Sequence, residues 1–151
     1  IFDKIITSVN TESTDTIYLT GGEPTIVEGN FKMLKALVDS GHCKHITVII
    51  NTNCTNLNAN FYNILYQFKS VLLNVSIDGT GDTLEYIRYP SKWKQVDKNL
   101  NKIVSDVNEK QLENFKISFA SVIQMLNAFN LEELIQYYLD LKSKSNLQRQ
   151  R

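Results

Sequence analysis

Gly21-Gly22-Glu23-Pro24 follows the apolar run Ile17-Tyr18-Leu19 and Thr20, so two glycines, an acid and a proline stand where a strand hands over to a loop. The glycines permit positive φ and let a ligand approach, since neither carries a Cβ. Pro24 stiffens the exit and pushes Glu23 toward an extended backbone. Such a loop can hold backbone carbonyls and one carboxylate in a fixed arc, which suits a ligand with a primary amine. The same string also fits a strand-ending turn with a solvated Glu.

The elements around this loop alternate between two periodicities. Residues 16–20 read as a strand, 30–40 as a helix with Phe31, Leu34, Leu37 and Val38 on one stripe and Gly41 as its stop. Residues 46–51 read as a buried strand, 59–69 as a helix aligning Phe61, Ile64, Leu65 and Phe68, and 71–77 as a third strand. A longer link holds a helical piece near 82–88 and a break at Tyr89-Pro90-Ser91. A helix over 93–107 follows, with Val96, Leu100, Ile103 and Val107 as its apolar face. Residues 116–123 read as a fourth strand, and 131–142 as a helix bearing Leu131, Leu134, Ile135, Tyr138 and Leu141 on one side. Phe2, Ile5, Ile6 and Val9 suggest the tail of a further helix before the first strand.

Strand–helix alternation predicts parallel strands with right-handed crossovers. A full eight-unit βα barrel spends roughly 250 residues, about 30 per unit. The 151 residues here account for four or five units, a section of a barrel or of an open α/β sheet. In both architectures ligands gather at the carboxyl ends of the strands. Those ends carry Gly21-Gly22-Glu23-Pro24, Asn51-Thr52-Asn53, Ser76-Ile77-Asp78-Gly79, and Gln124 running on to Asn127. The amino ends, such as Cys43-Lys44-His45 and Lys69-Ser70, are plain connectors. The asymmetry locates a site without identifying its ligand.

Bulk properties narrow the classes. Lys plus Arg and Asp plus Glu number 16 each, for zero formal net charge, so no footprint for nucleic acid or an anionic membrane is expected. No apolar run approaches the ~20 residues that cross a bilayer, and no leader-like segment opens the chain. The two cysteines, Cys43 and Cys54, match no metal spacing by themselves and read as incidental thiols of a reducing compartment. His42 and His45 read as surface residues at a helix end.

Four strings at successive strand ends or in the following link carry a family resemblance. Gly21-Gly22-Glu23-Pro24, then Thr52-Asn53, then Ser76-Ile77-Asp78-Gly79, with Arg88 about ten residues later, resemble the radical S-adenosylmethionine enzymes. The stretch Ile87-Arg88-Tyr89-Pro90-Ser91-Lys92-Trp93 is most like the branch with SPASM or twitch extensions. The resemblance runs from about residue 16 to about residue 135. It implies a partial (β/α)6 barrel of TIM type. It also implies a [4Fe–4S] cluster held by a C-x3-C-x2-C run, and S-adenosylmethionine bound to that cluster. Reductive cleavage there gives a 5′-deoxyadenosyl radical that takes hydrogen from a substrate, with the cofactors supplying the chemistry. An oxidoreductase of this kind implies a small electron donor such as a flavodoxin or ferredoxin. The branch implies a peptide or protein substrate, and the oxygen-sensitive cluster a cytoplasmic location.

The resemblance carries over onto particular residues. Backbone groups of Gly21 and Gly22, with Glu23, would receive the cofactor amine in charge-assisted hydrogen bonds. Ser76 would donate to the methionine carboxylate, and Arg88 would meet it with its planar fork. Asp78 would accept from a ribose hydroxyl or fix the turn at Gly79. Thr52 and Asn53 lie one strand over, toward ribose or substrate, and Asn127 matches a polar position past strand five of the family. The aromatics from Tyr89 to Trp93 either wall the site or pack the link.

The chain departs from the family in lacking the C-x3-C-x2-C run. Cys43 precedes a strand, and Cys54 replaces the Gly often found after Thr-Asn; neither supplies three thiolates. The expectation is an internal piece of the core covering strands two to five, its cluster ligands upstream of Ile1 and its sixth strand beyond Arg151. Bare edges on such a piece predict poor solubility. Two alternatives stand beside this reading. One is a cluster-free S-adenosylmethionine-binding module of degenerate barrel fold. The other is an unrelated βα-barrel enzyme with an anionic substrate.

Overall fold

The computed structural model describes residues 13–144. The expected helix around Phe2, Ile5, Ile6 and Val9 lies outside the described residues. Four strands, β1 (Thr16–Leu19), β2 (Thr47–Thr52), β3 (Ser70–Ser76) and β4 (Phe115–Ala120), form one sheet in the order β1-β2-β3-β4. Five helices accompany them: α1 (Glu28–Asp39), α2 (Ala59–Leu65), α3 (Gly81–Ile87), α4 (Trp93–Glu109) and α5 (Leu131–Lys144). The sheet is parallel and does not close. β1 and β2 pair in register from Thr16 opposite Thr47 to Leu19 opposite Ile50. Between β3 and β4, Val71 N–H donates to Asn114 O at 2.8 Å and Ile77 N–H to Ala120 O at 3.0 Å. The two bonds advance equally along both strands, as parallel pairing requires.

The residues divide into two compact units. The first holds the described residues up to Thr52 together with Leu57–Asn74 and Asn114–Ile117. Its core takes Ile17, Leu19, Val48, Ile50, Val71 and Leu73 from the strands. α1 contributes Met33, Leu34 and Leu37, and α2 contributes Phe61, Tyr62 and Leu65. Strand burial alternates because successive side chains point to opposite faces. β2 is therefore covered on one face only, a correction to the fully buried strand expected from its apolar run: Thr47, Ile49 and Asn51 are half-buried. α2 begins where the Asn58 side chain accepts from the Asn60 and Phe61 N–H groups at 3.1 and 3.3 Å, an N-cap. It stops at Leu65, short of the expected 69. His42 and His45, expected at the surface, are half-buried with their rings edge-on at 5.8 Å.

The second unit comprises Asn53–Asn56, Val75–Glu113 and the residues from Ser118 on. α4 carries its expected stripe: Val96, Leu100, Ile103 and Val107 are all buried. Its N-terminus lacks a cap from its own flank; Glu85 of α3 supplies one, accepting the Trp93 N–H at 3.0 Å and pairing with Lys92 at 2.7 Å. Burying four aliphatic side chains, each worth about 1.5–3 kcal/mol, outweighs any single cap. α5 departs from its expected face: Leu134 and Leu141 are buried, but Ile135 is 59% exposed. No described element covers that side. β4 ends at Ala120, so residues 121–123 leave the ladder, and Val122 and Ile123 are exposed.

Candidate functional site

In the first unit the loop after β1 takes the expected conformation for local reasons. Gly21 and Gly22 have φ of 85° and 56°, values that side chains with a Cβ adopt at a cost. A Cβ at either position would find no heavy atom within 4 Å, so φ and not packing demands glycine, and the space beside both is open. Glu23 is extended at φ −120°, ψ 101°, as a residue before proline must be. Pro24 opens a short 3-10 turn through Ile26, and Asn30 Nδ2 donates to the Pro24 carbonyl at 3.0 Å.

Glu23 is held by three donors converging on one oxygen. Its Oε1 accepts from Thr25 N at 3.2 Å, Thr25 Oγ1 at 2.7 Å and Thr52 Oγ1 at 2.7 Å. Thr52 is buried at the end of β2, so its hydroxyl ties the second strand end to the first loop. A carboxylate gripped this way keeps its orientation, and the residue is half-buried.

The opposite face of the same strands carries a polar row that the sequence reasoning passed over. Asn74 Nδ2 donates to Asn51 Oδ1 at 3.1 Å, and Asn51 Nδ2 donates to the Tyr18 hydroxyl at 2.6 Å. Strand parity was the available signal. Tyr18, Asn51 and Asn74 alternate with buried Leu19, Ile50 and Leu73, so all three belong to the uncovered face.

In the second unit the candidate residues are engaged with one another. Asn53 Oδ1 accepts from Thr55 N at 2.9 Å and Thr55 Oγ1 at 2.6 Å, closing an Asx turn. Cys54 follows with φ 56° and no solvent exposure, a left-handed backbone that glycine adopts without a Cβ penalty. Its carbonyl accepts from Asn99 Nδ2 at 2.8 Å. Ser76 closes β3, half-buried. Asp78 is buried; its Oδ2 lies 2.7 Å from Arg88 Nε and its Oδ1 accepts from Val122 N at 2.8 Å. The Arg88 contact is ionic rather than an aligned hydrogen bond.

Asn127, fully buried, braces the same place. Its Nδ2 donates to Asp78 O at 2.9 Å and Val122 O at 2.8 Å, while its Oδ1 accepts from Gln124 N at 2.8 Å. Asn130, which the sequence reasoning did not single out, secures the next turn. It accepts from Thr80 N at 2.7 Å and donates to Thr80 Oγ1 at 3.0 Å and Glu133 Oε2 at 2.9 Å. Gly79 is glycine for a steric reason: a Cβ there would lie 2.7 Å from Asn130 Oδ1 and 2.8 Å from Thr83 Cγ2. Of the link aromatics, Trp93 packs edge-on against Tyr137 at 4.9 Å, whereas Tyr89 is exposed. The Tyr137 hydroxyl donates to Asp97 at 2.9 Å, and burial with that carboxylate beside it holds the phenol well above its ordinary range.

The residues present do not fit a [4Fe–4S] cluster. Cys43 and Cys54 are buried and not joined by a disulfide, and among the described residues no three His, Cys, Asp or Glu side chains gather as a metal site. Three thiolates would be needed. No helix among the described residues is long and apolar enough to cross a membrane.

A scan against protein-family models finds no match, and a search of curated proteins finds no significant relative. Among solved structures, the chain is similar to SuiB from Streptococcus suis crystallised with S-adenosylmethionine, at TM-score 0.51 and 15% identity. That alignment covers 95% of this chain and 38% of SuiB, so the chain spans well under half of that protein. A second SuiB structure aligns at TM-score 0.46 with 15% identity, over 87% of this chain and 37% of SuiB, and adds nothing to the comparison. The fold is thereby an open α/β sheet like the part of SuiB that the alignment covers.

Proposed function

We propose that this chain is the S-adenosylmethionine-binding part of a radical S-adenosylmethionine enzyme. The observation that carries the reading is the loop after β1. Two positive-φ glycines with open space beside them precede a glutamate fixed by Thr25 and Thr52. That acceptor set fits an ammonium group: backbone carbonyls and one oriented carboxylate suit a cation with several N–H donors. In this reading Gly21, Gly22 and Glu23 receive the cofactor amine. Thr52 orients Glu23 for this; for Asn53, Ser76 and Arg88 in the second unit, the ribose and carboxylate roles rest on the family resemblance. Likeness to the SuiB fold supports it at the level of architecture.

S-adenosylmethionine, once bound to a reduced cluster, is the family's source of the adenosyl radical. The ligands of such a cluster are not among the described residues. The twitch-like stretch Ile87–Trp93 supports assignment to the SPASM or twitch branch, and with it a peptide or protein substrate, a flavodoxin or ferredoxin donor and a cytoplasmic setting.

A second reading is a cluster-free S-adenosylmethionine-binding module, which would use the same loop after β1. Calorimetric titration of the chain with S-adenosylmethionine and with a sugar phosphate tests the common part. Both readings expect the first to bind and the second not; the reverse result supports a barrel for an anionic substrate. Anaerobic iron and sulfide reconstitution of the full-length protein, flanking sequence included, then separates the two. A brown chromophore with 5′-deoxyadenosine release supports the enzyme, and a colourless binder supports the module.

A further inference from the structure

We infer that Asp78 is a positioning residue for Arg88, setting the guanidinium to receive a carboxylate, and that Asn127 holds Asp78 in place for this. The inference rests on the reading of Arg88 as the carboxylate-binding group. It gives a definite role to Asp78, for which the resemblance implies either a ribose contact or a turn, and to Asn127, which the resemblance places only as a polar position.

The geometry carries it. The Asp78 side chain is 7% exposed, and each carboxylate oxygen already has a partner: Oδ2 has Arg88 and Oδ1 has the Val122 N–H. Its backbone carbonyl is taken by Asn127, whose remaining amide capacity goes to Val122 O and Gln124 N. Asp78 is therefore fixed through its side chain and its main chain, joining the end of β3 to the segment after β4. Arg88 closes α3, and its side chain is 27% exposed. Asp78 engages it at Nε, the inner nitrogen of the fork. The terminal Nη pair is the part shaped for bidentate recognition of a carboxylate. An arginine anchored at Nε loses less rotamer freedom when a ligand arrives, which is the general advantage of preorganisation. A direct ligand role suits Asp78 poorly, because a buried anion repels the anionic end of an amino-acid ligand.

The test compares S-adenosylmethionine with its decarboxylated analogue, which keeps the sulfonium, amine and nucleoside but lacks the carboxylate. Asp78→Asn retains an acceptor for Val122 N–H and removes the charge that orients Arg88. S-adenosylmethionine affinity is expected to fall about tenfold, the scale seen when a group that orients a ligand-binding side chain is lost. Affinity for the analogue should stay within about twofold. In an Arg88→Gln background, Asp78→Asn should produce no further loss, since coupled residues are not additive.

Equal losses for both ligands, or a full additional loss in the Arg88→Gln background, overturn the inference. If Arg88→Gln weakens S-adenosylmethionine but Asp78→Asn does not, the inference alone falls. If Arg88→Gln leaves the preference for S-adenosylmethionine over the analogue unchanged, the underlying reading of Arg88 falls and takes the inference with it. A ligand-free measurement guards against a variant that folds poorly. The Asp78→Asn/Arg88→Gln pair, which removes both charges, should melt as a folded chain.

Discussion

Thr52 donates its hydroxyl to Glu23 Oε1 at 2.7 Å, binding the end of β2 to the loop that follows β1. The two residues are 29 apart in sequence and sit at adjacent strand ends. The bond makes the loop carboxylate part of the sheet's framework. Thr52→Val keeps the buried shape, removes this donor and leaves Glu23 with Thr25 alone among the donors named here. The variant should lose about 1–2 kcal/mol of stability, the usual cost of deleting one partner of a charged hydrogen bond. Chemical denaturation reads this directly. On the proposed function, S-adenosylmethionine affinity should fall in the same variant, while Thr52→Ser retains it.

Glycines at the strand ends should respond to alanine for different reasons. Gly79→Ala forces a methyl against Asn130 Oδ1 and Thr83 Cγ2, both under 3 Å away. Either the Asn130–Thr80 bonds or the α3 entrance must move, at about 1–3 kcal/mol. Gly22→Ala meets no atom but must hold φ 56°, costing about 1–2 kcal/mol of backbone strain. The two variants separate by suppression. Asn130→Ala should rescue part of the Gly79→Ala loss and none of the Gly22→Ala loss, as followed by thermal melting.

How much of this was legible beforehand depends on whether a feature is local. The α4 stripe of Val96, Leu100, Ile103 and Val107 was visible because its 3.6-residue period is unbroken. The turn at Gly21-Gly22 was visible because its chemistry lies within four residues. α5 shows the limit. Periodicity puts Ile135 on a stripe with Leu134 and Leu141, yet only a neighbour could bury it, and no described element does. Asp78 and Asn127 show the same limit for polar groups. Position at a strand end was readable, but the choice between ligand and internal partner was settled by contacts 44 and 49 residues away. The sequence sets Asn51 and Thr52 side by side at one strand end, yet strand parity sends them to opposite faces.

Gln111 offers a stabilising change. It follows the C-terminal end of α4 at φ 53°, with Leu112 N–H closing on Val107 O at 2.9 Å. This is the left-handed residue of a Schellman ending, where glycine avoids the Cβ penalty. Gln111 is exposed, so its side chain contributes little packing. Gln111→Gly should therefore gain up to about 1 kcal/mol, read as a higher melting temperature. S-adenosylmethionine binding should not change.

The Tyr137–Asp97 pair predicts an alkaline weakness. In the unfolded chain the phenol titrates near its ordinary value of about 10; in the folded chain burial and the Asp97 carboxylate push it higher. The folded state therefore binds this proton more tightly than the unfolded state. Its contribution is complete below pH 10 and is lost as pH rises through and beyond the unfolded value. Tyr137→Phe removes that dependence while keeping the ring against Trp93 and Phe119. Melting temperatures from pH 8 to about 11 should decline more steeply for the unmodified chain than for Tyr137→Phe. At pH 8 the variant should be the less stable of the two, because Asp97 loses a hydrogen-bond donor. Parallel declines would show that the phenol ionises as readily in the folded chain as in the unfolded one, contrary to the buried, carboxylate-paired environment described above.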